Sequence, residues 1–363
     1  MLALFFHLQL SPVPLPLEMM GEILNSTDLN LASMGEVPSA YLVVVCFILT
    51  VEIVLGVTVN IMVLWAYYRH WNTLRSVSNI LMANLNVVDI LICVLSAPLT
   101  FTTLLLRHRD TDVLVCLSHE AGVSFACSAT ALNLLVISVD RYESVIMPTK
   151  RTFSVKNVRF VLLVPWCGAL LGIGAAFIHT ANPVLVTYTD VKSCVTWYLT
   201  TQTRHYFQTY WVVLFVSSSL WMIVSYRKIV NAAHTRLSIK AALVQASLVV
   251  AGSGFCDKKV RPTGARATKV ALAIVSTYVL CWGPYTTYSL AVMVKPQMTQ
   301  ETINVGLLCL AYMTTILHPI LYAFLRRKVR RACWTLVLAD QRSVRTIQVA
   351  PFRHASTRDD CAT

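Results

Sequence analysis

Residues 113–146 read VLVCLSHEAGVSFACSATALNLLVISVDRYESVI, and this stretch decides the fold. From Val113 to Val139 the only formally charged side chain is Glu120, after which Asp140-Arg141-Tyr142 follows at once. A bilayer core about 30 Å thick takes about 20 apolar residues as a helix, so this segment can cross it. Cys116 and Arg141 stand about seven helical turns apart, the length of one crossing.

Six further stretches meet the same criterion. The expected spans are Tyr41–Tyr68, Val77–Leu106, Val113–Ile146, Val158–His179, Tyr206–Tyr226, Val270–Val294 and Thr302–Leu325. The last two contain no Asp, Glu, Lys or Arg, while Glu52, Asp89 and Glu120 are isolated acids in the others. The expectation is an all-α membrane protein, a seven-transmembrane helix bundle with a short amphipathic eighth helix. Residues 1–40 form an extracellular tail, 41–325 the transmembrane domain, and 326–363 the amphipathic helix and cytoplasmic tail.

Composition agrees. The 363 residues are 56% hydrophobic and only 13% charged, with a mean hydropathy of +0.63. A soluble domain carries roughly twice that charge fraction. A net charge of +13 would suggest nucleic acid in a soluble protein. Here the charge lies in the loops, and no nucleic-acid partner is expected. The eleven cysteines form no CxxC pair and no zinc-like cluster, so no metal is expected. There is no Gly-rich phosphate loop, HExxH or nucleophile elbow, which argues against an enzyme.

Basic residues in short loops set orientation. The tail before Tyr41 has no Lys or Arg but holds Glu18, Glu22, Asp28 and Glu36. With that tail outside, 25 of the 30 basic residues fall on the inner side and five on the outer. The N-terminus is therefore expected outside and the C-terminus in the cytoplasm of a multi-pass plasma-membrane protein. The apolar start lacks a basic flank and is interrupted by Pro12, Pro14 and Pro16, so a retained tail is expected rather than a cleaved signal. Asn25-Ser26-Thr27 offers a glycosylation site in that tail.

Several residues stand out along the spans. Arg141 sits between an acid and Tyr142 at a helix end, where an arginine could simply snorkel to the interface. Asp89 lies mid-span within Leu85-Asn86-Val87-Val88-Asp89, and a carboxylate at that depth is costly enough to suggest a role. Asn60 lies in the first span and Trp166 in the fourth, the latter alone no more than a lipid-facing aromatic. Cys281-Trp282-Gly283-Pro284 places a helix-kinking proline beside a tryptophan. His318-Pro319-Ile320-Leu321-Tyr322 ends the last span, followed by a basic amphipathic stretch to Trp334 that contains Cys333.

Together these resemble the DRY, CWxP and NPxxY motifs of the rhodopsin-like G-protein-coupled receptors, over roughly 41–334. The resemblance implies that Asp140 holds Arg141 at rest and that Arg141 then turns toward a heterotrimeric G protein, with arrestin a second partner. Asp140, Arg141, Tyr142, Tyr226, Pro319 and Tyr322 would form this coupling switch. Asp89, Asn60, Cys281, Trp282, Pro284 and His318 would relay the change. Cys116 and Cys194 would form the bridge that pins the long outer loop. Cys333 is a palmitoylation candidate, and membrane lipid is an expected partner.

The pattern also breaks. His318 replaces the asparagine of NPxxY, the fifth span has no proline, and residues 264–268 offer no acid for Arg141. No cofactor is expected. The resemblance implies a sodium ion at Asp89, but His318 counts against a conventional site. A weakly held resting state with appreciable basal signalling is expected.

Pocket-facing residues within three turns of Cys116 fall among His119, Glu120, Val123, Ser124 and Cys127. Val123 stands where amine receptors place an aspartate, so a biogenic amine is disfavoured. The seventh span has no lysine for a retinal Schiff base. His179, Tyr285, Tyr288 and Tyr312 complete the pocket candidates, each also readable as a packing residue. The ligand stays unnamed. The rival readings are a transporter, disfavoured by the lack of inverted repeats, and a ligand-independent receptor that modulates partner receptors.

Overall fold

The computed structural model describes residues 38–106, 113–149, 151–180, 202–251, 263–295 and 298–335. Among these residues the regular structure is entirely helical. The principal helices are α1 (Ser39–Arg69), α2 (Val77–Leu105), α3 (Val113–Ile146), α4 (Leu163–Thr180), α5 (Gln202–Ala251), α6 (Thr263–Val294) and α7 (Glu301–Leu325). Residues 327–335 form a further short helix, α8. Single turns at Trp71–Leu74 and Val158–Val161 introduce α2 and α4.

Among the described residues, α1, α2, α3, α5, α6 and α7 are long and apolar enough to cross a bilayer. The fourth expected span divides at Leu162, and its apolar part, Val158–Leu171, is the shortest. The fifth overruns its expected end at Tyr226 by 25 residues, because helix continues where the apolar run stops. The seventh is interrupted at Met313.

α3 is the most buried span and packs on α2, α4, α5 and α6; α1 is the least buried. Outward faces carry Phe47, Trp65, Leu171, Leu220, Trp221, Leu280 and Phe324. In water so much exposed apolar surface would drive association; against lipid chains it is the matching surface. With no water in that layer, each backbone group must be bonded within the protein, by its own helix or by a neighbouring one.

Departures from regular helix have local causes. In α2, Ile92–Ser96 is π-helical just before Pro98, which has no N–H to donate. In α7, Pro319 cannot bond the carbonyl of Thr315 one turn back, and Asn60 Nδ2 donates to that oxygen instead at 2.8 Å. The same amide donates to Gly56 O at 2.8 Å. Gly56 has to be small: a Cβ there would stand 2.4 Å from Cys93 Sγ and 3.0 Å from Thr315 Oγ1. At the other end of the bundle the Tyr41 hydroxyl donates to Thr302 O, closing α1 onto α7.

Candidate functional site

At the Arg141 end of α3, Asp140 is fully buried and Arg141 nearly so. Arg141 Nη2 and Nε both donate to Asp140 Oδ2, the latter at 3.1 Å. Arg151, on the segment after α3, donates to the other oxygen, Oδ1, at 2.9 Å. Asp140 is thus shared by two guanidinium groups. Glu143 Oε2 accepts the backbone N–H groups of Thr152 and Phe153 at 2.9 and 3.3 Å, so the same segment is tied to α3 twice. Tyr142 is half-buried beside this junction.

Tyr226 on α5 and Tyr322 on α7 are buried with hydroxyls that make no hydrogen bond of ordinary geometry. Tyr226 lies alongside Ser138 and Arg141, and Tyr322 alongside Asn86 and Tyr67. Arg326, at the α7–α8 junction, donates to Asn79 Oδ1 and, at 2.6 Å, to Ser78 Oγ on α2. Arg151 and Arg326 were not anticipated. Their partners are distant in sequence, and a basic residue in a loop reads first as a topology signal.

Deeper in the bundle, Asp89 and His318 are both fully buried, with His318 Nδ1 3.4 Å from Asp89 Oδ2. Hard cations take oxygen ligands, and here an imidazole stands at the carboxylate. With that ring nitrogen 3.4 Å from Asp89 Oδ2 in the place of an oxygen ligand, these residues do not fit a conventional sodium site. Asn60 and Pro319 meet at Thr315, as described, and Thr315 Oγ1 donates to Tyr312 O at 2.8 Å. A continuous set of polar contacts therefore joins Tyr312 to Thr315 and Asn60 along α1 and α7.

Trp282 is fully buried on α6 beside Thr314 of α7, Nε1 to Oγ1 3.4 Å. Its ring meets Tyr285 and Tyr312 edge-on at 6.2 and 6.4 Å, and Tyr285 stacks on Trp211 at 5.3 Å. Cys281 is buried next to it, whereas Pro284 faces outward. The Tyr312 hydroxyl is 3.0 Å from Thr100 Oγ1, which is 3.1 Å from His119 Nε2. Thr100 thus joins α2 to two pocket candidates that share no neighbourhood in sequence. Glu120, Val123 and Ser124 are buried on α3.

Other candidates fall elsewhere. Tyr288 faces the α6–α7 connection, where its hydroxyl donates to Gln300 O at 3.0 Å and accepts from Gln300 N at 2.7 Å. Trp166 is no mere lipid-facing ring: its Nε1 donates to Asn84 Oδ1 at 3.1 Å, and the Asn84 amide donates to Asn133 Oδ1, pinning α4, α2 and α3 together. Cys333 is 7% exposed and lies near Tyr67, and burial pushes its thiol pKa up. Cys116 is buried and disulfide-bonded. Cys194, Asn25 and the His179 side chain lie outside the described residues.

With this geometry in view, comparison with known proteins is direct. The family described as 7 transmembrane receptor (rhodopsin family) matches residues 59–322. G-protein coupled receptor 22 of Mus musculus is 27% identical over 359 residues, covering 85% of this chain and 82% of the mouse protein. The Danio rerio protein of that name is 29% identical over 340 residues, covering 81% and 74%. The neuropeptide Y receptor type 6 of Oryctolagus cuniculus is 23% identical over 322 residues, covering 83% and 82%. The chain belongs to the rhodopsin family of seven-transmembrane, G-protein-coupled receptors, multi-pass proteins of the plasma membrane.

Proposed function

We propose that this receptor switches a G protein through Arg141 at the cytoplasmic mouth of the bundle, with its N-terminus outside the cell. The observation that carries the reading is the buried Asp140–Arg141 pair, with the buried Tyr226 of α5 alongside Arg141. In the resting arrangement Asp140 restrains Arg141. When α6 swings outward, Arg141, Tyr226 and Tyr322 line a crevice that takes the C-terminal helix of a Gα subunit, a helix-in-groove contact. Arrestin uses the same crevice. Tyr142 and Pro319 belong to this switch, one at its rim and one at the α7 bend.

Signals reach the crevice from Trp282 and Tyr312 through Thr315, Asn60 and the Asp89–His318 pair, with no metal step. Ligand enters from the opposite end, beneath a loop held by a Cys116–Cys194 bridge, and Asn25 carries a glycan. The resting state is held weakly. Among the described residues Arg141 finds a carboxylate only on Asp140, which Arg151 shares, and α6 supplies none. Basal signalling is the consequence.

The test is nucleotide exchange on a panel of purified G-protein heterotrimers, driven by the wild-type receptor in lipid discs and by Arg141→Ala. At least one heterotrimer is expected to exchange faster with wild type and at its receptor-free rate with the variant. Equal rates for the two receptors on every heterotrimer would overturn the proposal.

A further inference from the structure

The segment after α3 is held by opposite charges, and the two holds end one residue short of a serine. Arg151 donates to Asp140 Oδ1 at 2.9 Å, and Glu143 Oε2 accepts the N–H groups of Thr152 and Phe153 at 2.9 and 3.3 Å. Ser154 comes next and is exposed. Its hydroxyl and its N–H both donate to Asn157 Oδ1, at 2.9 and 2.7 Å. Residues 151–154 are not helical, so this hydroxyl stands on an open, irregular stretch rather than against the bundle.

The surrounding sequence is of one sign. After Glu143 no acid occurs until Asp190, while Lys150, Arg151, Lys156 and Arg159 all lie within five residues of Ser154. Arg151 stands three residues before the serine, and its side chain is 40% exposed. An ion pair so open to water is weak, so this guanidinium can leave Asp140 for a stronger anion. An accessible serine that follows arginine in a cationic stretch suits an enzyme whose substrate groove is acidic, because complementary charge steers and selects partners.

We propose that Ser154 is a phosphorylation site for an arginine-directed serine kinase, and that its phosphate unlatches this segment from α3 and tightens the Asp140–Arg141 restraint. The proposal rests on the receptor reading, which puts Ser154 in the cytoplasm with ATP. Ser154 Oγ attacks the γ-phosphorus of ATP, the bond to the bridging oxygen breaks, ADP leaves, and the hydroxyl proton passes to the kinase's base. The product carries about −1.5 to −2 charges and three strong acceptor oxygens. Oγ, now esterified, no longer donates to Asn157. The phosphate attracts Arg151, a charge-assisted and bidentate partner, and repels Glu143, whose bond to Phe153 N–H lies one residue away. Both ties therefore weaken together. Asp140, relieved of Arg151, is left to Arg141 alone, and signalling without ligand falls. The competing account is a serine that only shapes the turn at Asn157 and is never modified.

The experiment incubates full-length receptor in lipid discs with ATP and the active form of the cyclic-AMP-dependent or the calmodulin-dependent protein kinase, both arginine-directed. Peptide mass spectrometry then locates the phosphate. It is expected at Ser154, arriving at least about tenfold more slowly in Arg151→Ala, the loss of one charge-assisted contact to the kinase. Basal nucleotide exchange should fall by about two- to fivefold on treatment, the reach of an exposed ion pair. Ser154→Ala, treated alike, should keep its starting rate. No phosphate at Ser154 with either kinase overturns the proposal, as does a receptor phosphorylated there that exchanges nucleotide as fast as before. Equal falls in wild type and Ser154→Ala overturn it too, since the acting phosphate then lies elsewhere. Arg141-dependent exchange in the untreated discs separates the two readings. With that dependence intact, these outcomes sink the Ser154 site alone, while its absence sinks the receptor reading beneath it.

Discussion

Replacing Asp140 with asparagine should raise signalling in the absence of ligand. The substitution keeps the size of the side chain and one acceptor oxygen but removes the charge that faces Arg141 and Arg151. A hydrogen bond to a charged group is worth about 1.5–3 kcal/mol. If the contact to Arg141 exists only in the resting arrangement, its loss shifts the resting-to-active equilibrium by about 10–150-fold, at 1.4 kcal/mol per factor of ten. A receptor active about 1% of the time without ligand would then be active about 10–60% of the time. Arg151→Ala provides the contrast. Its guanidinium is 40% exposed, and a pair so open to water contributes up to about 1 kcal/mol, so basal output should move by no more than about fivefold. The assay is initial GTPγS binding to a purified heterotrimer at matched receptor density. An Asp140→Asn receptor that folds and reaches the surface yet exchanges nucleotide no faster than wild type would refute the reasoning. So would equal effects from the two substitutions.

Other outcomes follow from the packing. Asn60→Ala leaves the Thr315 carbonyl, which Pro319 cannot bond, without its donor; a buried unsatisfied group costs about 1–3 kcal/mol, and the unfolding temperature of the purified receptor should fall. Gly56→Ala drives a Cβ to 2.4 Å from Cys93 Sγ, whereas one at Gly174 meets nothing within 4 Å; surface expression by flow cytometry should drop for the first and hold for the second. Exchanging sodium for choline in the basal nucleotide-exchange assay should leave the wild-type rate unchanged, because His318 already faces Asp89; a marked rise on sodium removal would contradict that pairing.

The seven crossings and their charge asymmetry were legible because lipid imposes a one-dimensional rule: about 20 residues with almost no charge. The same rule says nothing of how far the fifth helix continues beyond its apolar run. The apolar run stops at Tyr226, but Arg227, Lys228 and the residues beyond continue as helix to Ala251. Motif residues were findable because their spacing is local. What joins them is not: Thr100 links Tyr312 to His119, and Arg151 reaches back to Asp140 across a turn. Asn84 and Asn133 left a signal that was passed over, since an asparagine within an apolar span needs a partner, and each supplies the other's. Glu52 was visible as a charge, but its lack of any partner could only be seen once α1, α2 and α7 were packed together.

The most direct test of the crevice is a photo-crosslink from its rim. The receptor carrying Tyr142→p-benzoylphenylalanine, which keeps an aromatic at this half-buried position, is mixed with nucleotide-free heterotrimer in lipid discs, illuminated and digested. The account predicts an adduct on the C-terminal segment of Gα that disappears when GTPγS is added, and none from the same label at Trp65, which is 53% exposed on the outward face of α1. An adduct that forms equally from both positions, or one from position 142 that never includes the Gα C-terminus, would contradict it.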